Sequence, residues 1–298
     1  MADSVEPLKS DSVEPIKLDF RRYVEELAGA ASADVWAATD DVIGFLSSHD
    51  FSALDRHSPG LGKGWDWAPY LHLSAIRIAQ LASMLHERGI ESGRLLDFGS
   101  YFGNFALFAQ RRGFETLAFD SYMAYESALS PAVDLMTRRG IRVIDAGGAG
   151  HNLAGVALES IDVVLCMGVI EHIPHTPRPM LESIRRVLRP GGTFILETPN
   201  LAYTYTRHKL MQGRPIGLPI EFQFETEIPF EGHHREYTLD EIMWMLQRIG
   251  QVDIASRYFN YSIFGLAELR GDDAIRYAEM ESDPTCRELI ITASRKAP

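Results

Sequence analysis

Cysteine is scarce in this chain: Cys166 and Cys286 are the two present in 298 residues, far apart and without metal-type spacing. Stability therefore need not rest on disulfides or cysteine-bound metal, and a reducing compartment is the expected setting. Cations are also in short supply. The 29 lysines and arginines face 41 acids, for a net charge of −12, and no run of basic residues appears. An acidic surface repels phosphate backbones, so nucleic acid is not an expected partner. No apolar stretch approaches the about 20 residues of a membrane span. The opening Met1-Ala2-Asp3-Ser4 lacks the basic and apolar regions of a leader, so a soluble, cytoplasmic protein is expected. The dinucleotide pattern G-x-G-x-x-G is missing too, which counts against a nicotinamide-dependent oxidoreductase.

What is present suits an ample globular core, with 46% hydrophobic residues. Residues 3–9 (DSVEPLK) and 11–17 (DSVEPIK) repeat almost perfectly at a period of eight. Being polar and too short to bury a face, segment 1–17 is expected to be a disordered tail. From 18 to 92 the spacing is helical, with Phe20, Tyr23, Val24 and Leu27 first and a longer amphipathic helix near 67–88. From 93 to 298 short apolar runs alternate with helical segments, the signature of a parallel α/β sheet. Strands are expected at 94–98, 115–119, 141–145, 161–167, 192–197, 251–257 and 288–294, and helices near 102–112, 125–139, 177–188 and 238–249. Segment 198–237 fits neither pattern and is expected to be a cap over the substrate.

Chemistry gathers at the ends of the expected strands. Asp97-Phe98-Gly99-Ser100 with Gly103 places glycines where a backbone can turn tightly and approach a ligand. Asp120 closes the second strand 21 residues after Gly99. An acid there can accept both ribose hydroxyls of a nucleoside, and Ser121 follows it. The competing role for Asp120 is a helix N-cap. Asp145 ends the third strand, where it could accept from an adenine amino group or serve the turn before Gly147-Gly148.

These residues resemble the first motif of the class I S-adenosylmethionine-dependent methyltransferases. Two further stretches carry the resemblance: Asp162-Val163-Val164-Leu165-Cys166-Met167-Gly168-Val169-Ile170-Glu171-His172-Ile173, and Leu188-Arg189-Pro190-Gly191-Gly192 through Asn200. Both are similar to the ubiquinone-type and related small-molecule methyltransferases, as is His234-Arg235-Glu236-Tyr237-Thr238. The resemblance covers roughly 93–255. It implies a doubly wound, mostly parallel seven-stranded sheet of the Rossmann-like methyltransferase fold. A helical N-terminal extension and a cap after the fifth strand complete the expected architecture. It also implies S-adenosylmethionine as cofactor, with Asp97, Gly99, Ser100, Gly103, Asp120, Ser121, Asp145, Met167 and Gly168 around it. Tyr101 departs from the family, which usually has glycine there, and keeps open a catalytically inactive partner subunit.

Methyl transfer from a sulfonium needs alignment and, for an oxygen acceptor, a base. Glu171 and His172 follow the fourth strand, and a neutral imidazole is a suitable base near pH 7. They are expected to be the catalytic pair, with structural support of the loop as the competing role. No metal is expected, although Glu171, His172 and His175, with His233 and His234, carry the ligand types for a divalent cation. In the cap, Tyr203, His233, His234 and Arg235 are candidate contacts for a carbohydrate, another small polar ring or an anionic acceptor. Trp65, Trp67 and Tyr70, at the start of the long helix, are candidates to cover the methionine end of the cofactor. The sequence leaves the acceptor and the oligomeric state open, a homodimer included.

Overall fold

The computed structural model describes residues 14–46, 49–52, 54, 66–125, 128–147, 152–217, 219–227, 230 and 232–298. Three helices precede the sheet: α1 (Phe20–Ala28), α2 (Ser32–Leu46) and α3 (Trp67–Glu87). The side chain of Asp19 caps α1 by accepting from Arg22 N, and Asp66 caps α3 by accepting from Ala68 N. Both satisfy amides that a helix start leaves open. From Ser74 to Ala82 α3 is buried on every face, Arg77 and Gln80 included, rather than presenting the single apolar stripe expected of an amphipathic helix.

Seven strands follow: β1 (Arg94–Phe98), β2 (Glu115–Asp120), β3 (Arg142–Asp145), β4 (Ile161–Met167), β5 (Leu188–Pro199), β6 (Gln251–Phe259) and β7 (Leu289–Lys296). They pair in the order β3-β2-β1-β4-β5-β7-β6. The first five run parallel, and β7 runs antiparallel between β5 and β6. Strand order reverses between β1 and β4, which opens a crevice at their carboxyl ends. The fold is the expected doubly wound one. β5 begins earlier than expected because Leu188 pairs with Ile161 ahead of a register shift.

Helices α4 (Asn104–Arg111), α5 (Ser130–Arg138) and α6 (Arg178–Val187) connect the first five strands. α5 starts later than expected, behind Pro131 in its first turn, and Tyr122–Tyr125 form a separate 3-10 turn. The segment after β5 holds two short helices, α7 (Thr204–Met211) and α8 (Ile220–Glu225), before α9 (Leu239–Arg248) and, after β6, α10 (Gly271–Ser282). Among the described residues no helix is long and apolar enough to cross a membrane.

The sheet is covered on both faces. One apolar cluster joins Val24, Val35, Val42, Ile76 and Leu81 of the first three helices to Phe105, Leu107, Leu95 and Leu165. The opposite face packs Ile184 and Leu246 of α6 and α9 against Leu96, Val164 and Phe194. The helical extension thus shares its core with the sheet. Ile16 exchanges backbone hydrogen bonds with Leu269, N to O at 3.0 Å and O to N at 2.8 Å. Residues 14–17 are therefore anchored, contrary to the tail expected through 17. The first repeat lies outside the described residues.

Candidate active site

Where β1 ends, the chain must turn without side chains in the way. Gly99 takes φ +77°, and a Cβ on it would lie 2.3 Å from Val169 Cγ2. Gly103 takes φ +83°, and a Cβ there would meet Met136 Sδ at 2.4 Å. Tyr101 adopts φ 45°, a conformation that favours glycine and strains other residues. Its amide donates to Asp120 Oδ2 at 2.7 Å, and Ser121 N donates to Asp120 Oδ1 at 2.7 Å. The Tyr101 ring stacks among Trp67, Phe102 and Tyr125, so the departure from glycine builds an aromatic wall rather than filling the loop.

Beneath this loop lies Asp97, 1% exposed, with no hydrogen-bond partner on either carboxylate oxygen among the described residues. Burial, and then the nearby Asp120, push its carboxyl up to about 7. A buried acid without partners is costly unless a ligand completes it. Asp120 itself lines a cavity of about 330 Å³ together with Gly99, Ser100 and Tyr101. The Ser100 hydroxyl bonds the Tyr122 hydroxyl. Asp145 is exposed, accepts from Met123 N at 3.1 Å and does not line the cavity, nor do Ser121 and Gly103.

Met167, Gly168, Val169, His172 and His233, with Trp67, Tyr70, Leu71, Ser74 and Arg77 of α3, line the same cavity, and Trp67 also packs on Tyr101 and Phe102. Glu171 is buried behind the cavity, and its Oε2 accepts from Thr198 Oγ1 at 3.0 Å. Burial pushes its carboxyl up to about 7, with His233 pulling the other way. The Glu171 carbonyl accepts from His234 N at 2.8 Å and Arg235 N at 3.3 Å. These two bonds bring His233 over His172, ring centroids 4.9 Å apart and edge to face. His233 Nδ1 lies 3.2 Å from Glu236 Oε1. Burial opposes the charged imidazole, but Glu236 and Glu171 outweigh it and hold His233 above its ordinary value.

Other expected contacts point elsewhere. The His234 ring donates to Phe230 O at 3.1 Å, and Arg235 pairs with Glu241 over the Tyr237 ring. Tyr203 packs beside Tyr205 and the small cluster around Ile263 and Leu269. None of the three lines the cavity. Glu171, His172 and His233 each offer a ligand atom, all within 4.8 Å of one another, while His175 is not part of that group.

Residues 70–255 match the family model described as a methyltransferase domain. The chain belongs to that methyltransferase family. It is 27% identical over 158 residues to the ubiquinone biosynthesis O-methyltransferase of Xanthomonas axonopodis pv. citri, covering 50% of this chain and 61% of that protein. The corresponding enzyme of Hahella chejuensis is 28% identical over 156 residues, covering 51% and 62%. The chain thus spans less than two thirds of the length of these curated relatives. Among solved structures, a S-adenosylmethionine-dependent methyltransferase from Thermotoga maritima shares the fold, with TM-score 0.52 at 14% identity over 83% of this chain and all of that one.

The cofactor of this methyltransferase is S-adenosylmethionine, and the residues present fit it. Asp120 reaches the cavity from the end of β2, and Asp97, which does not itself line it, lies buried beneath with two oxygens that make no hydrogen bond among the described residues. Both were legible in the sequence, as were Gly99, Ser100, Met167 and Gly168. Trp67 and Tyr70, expected over the methionine end of the cofactor, line the cavity, while Trp65 lies outside the described residues. Among the cavity-lining residues that sequence reasoning missed, Ser74 and Arg77 are the polar ones on α3, beside Asn104, Phe105, Tyr125 and Val169 from the sheet side. The available signal was an arginine set among isoleucines and alanines, Ala75-Ile76-Arg77-Ile78-Ala79, where a solvated charge has no place.

Proposed function

We propose that this methyltransferase methylates a hydroxyl oxygen of a small molecule, with a carbohydrate or a similar polar ring as acceptor. S-adenosylmethionine, when bound, supplies an electrophilic methyl group. Asp97 takes its ammonium, Asp120 its ribose hydroxyls, and the Gly99–Gly103 turn lets the backbone approach without a Cβ in the way. His172 removes the acceptor hydroxyl proton onto a ring nitrogen as the oxygen forms its bond to the methyl carbon and the sulfur–carbon bond breaks. Trp67, Tyr70 and His233 close over the acceptor and hold it in line, which is the larger part of the work in such a displacement.

The observation that carries this reading is one cavity lined both by Asp120 from the end of β2 and by His172 and His233 from beyond β4 and β5, with β1 between them. The relatives named for O-methylation lend the oxygen acceptor its support. No metal ion is assigned. The test is release of S-adenosylhomocysteine against a panel of sugars and phenols. His172→Ala should lower turnover about 10²–10⁴-fold with cofactor affinity unchanged. A mild effect returns His172 to a structural role, and activity lost on chelation reassigns Glu171, His172 and His233 to a metal.

A further inference from the structure

Arg77 contributes the one guanidinium among the described residues that line the cavity. The residue is 9% exposed, on a helix whose neighbours Ile76 and Ile78 are fully enclosed. Its Nε donates to Glu197 Oε2 at 3.1 Å, and its Nη2 donates to the same oxygen. Among the described residues these are the only hydrogen bonds it makes. Five N–H groups are available to a guanidinium, so the two on Nη1 and one on Nη2 have no acceptor among the described residues. Phe105 covers one face, with Arg77 Cζ 5.4 Å from its ring centre. Gly168 leaves the room the guanidinium needs at the tip of β4.

The fork is therefore oriented before any ligand arrives. Glu197 fixes one edge and Phe105 one face, and the remaining donors border a cavity that also holds His172 and His233. Planar double donation matches carboxylate and phosphate oxygens, and an oriented fork loses little freedom on binding. His172 and His233 line the cavity beside it, with the carboxyls of Glu197 and Glu171 buried behind them. Asp120 lines the same cavity, above the buried Asp97.

We propose that Arg77 recognises an oxyanion on the acceptor, so that the substrate carries a carboxylate or phosphate beside the hydroxyl to be methylated. This rests on the O-methyltransferase reading and narrows its substrate class. Arg77 holds the anionic group through its free edge, and the neighbouring hydroxyl is thereby directed at His172.

The test uses the full chain saturated with S-adenosylhomocysteine, titrated with acetate, inorganic phosphate and neutral acetamide by ligand-observed NMR. Saturable binding of acetate or phosphate, without binding of acetamide, is expected, and the preferred anion separates the two sources. Arg77→Lys keeps a cation beside Glu197 but loses the fork, and should weaken the anion about tenfold or more. The double variant Arg77→Gln/Glu197→Gln leaves no buried charge unpaired and should bind no anion, with S-adenosylhomocysteine affinity within about twofold of wild type in both variants. No saturable anion binding to wild type, or anion binding unchanged in both variants, overturns the proposal. Failure to bind S-adenosylhomocysteine would instead sink the enzyme reading beneath it.

Discussion

The two ends of the cavity are assembled differently. The cofactor end comes from Asp97 to Gly103 and from Asp120, short stretches closing two adjacent parallel strands. The proposed acceptor end is gathered from Arg77 on α3, His172 after β4 and His233 after β5, residues far apart in the chain and brought together by packing, by the Arg77–Glu197 pair and by two hydrogen bonds to the Glu171 carbonyl. A site made by local backbone geometry is rigid and tolerates few changes. A site made by convergence can be altered one contact at a time, which suits a fold that serves many acceptors.

If that contrast is right, substitutions at the cofactor end should abolish binding while those at the acceptor end leave it intact. Gly99→Val should have the largest effect. The added carbons run into Val169 at a backbone angle that disfavours any side chain, so S-adenosylhomocysteine affinity should fall at least about a hundredfold, by calorimetry. Normal binding would move the pocket elsewhere.

Asp97→Asn comes next, and its sign follows from the raised carboxyl. Folded Asp97 stays protonated up to about 7, whereas the unfolded chain ionises near 3.8. Its contribution to the ligand-free protein is therefore full below about pH 4 and is lost as pH rises from there to about 7. At the scale of about 1.4 kcal/mol per unit, the loss amounts to about 4 kcal/mol at most. Thermal melts of Asp97→Asn should show a gain over wild type at pH 8 that vanishes at pH 4. Equal melting of the two proteins at both pH values would remove Asp97 as a stored cost.

Asp120→Ala should be the mildest of the three. Losing hydrogen bonds to a charged group weakens cofactor affinity by about 1–3 kcal/mol, measurable by isothermal titration. The release of Tyr101 N and Ser121 N from their shared acceptor adds to that loss. Unchanged affinity would return Asp120 to loop support.

The same contrast governs what could be read from sequence. β1 and β4 were legible to the residue because parallel strands buried on both faces appear as unbroken apolar runs, as in Leu95-Leu96 and Val163-Val164-Leu165. Asp97, Gly99 and Asp120 came with them, since each sits within a residue or two of a strand's carboxyl end. α7 was not legible, because Thr204-Tyr205-Thr206-Arg207-His208-Lys209 has no apolar stripe. His233 and His234 could not be ranked either. Which of two adjacent rings faces the cavity is decided by the bonds from His234 N and Arg235 N to Glu171 O, over 60 residues away in the chain. Arg77 was hidden for a related reason: its partner Glu197 lies on another element, 120 residues on.

Cofactor binding by Asp97 can be tested by counting protons. Titrating the full chain with S-adenosylhomocysteine at pH 6, in two buffers of different ionisation enthalpy, should reveal release of close to one proton as Asp97 ionises against the ligand's ammonium. Binding with no proton released would contradict that pairing, and no binding at all would contradict the site.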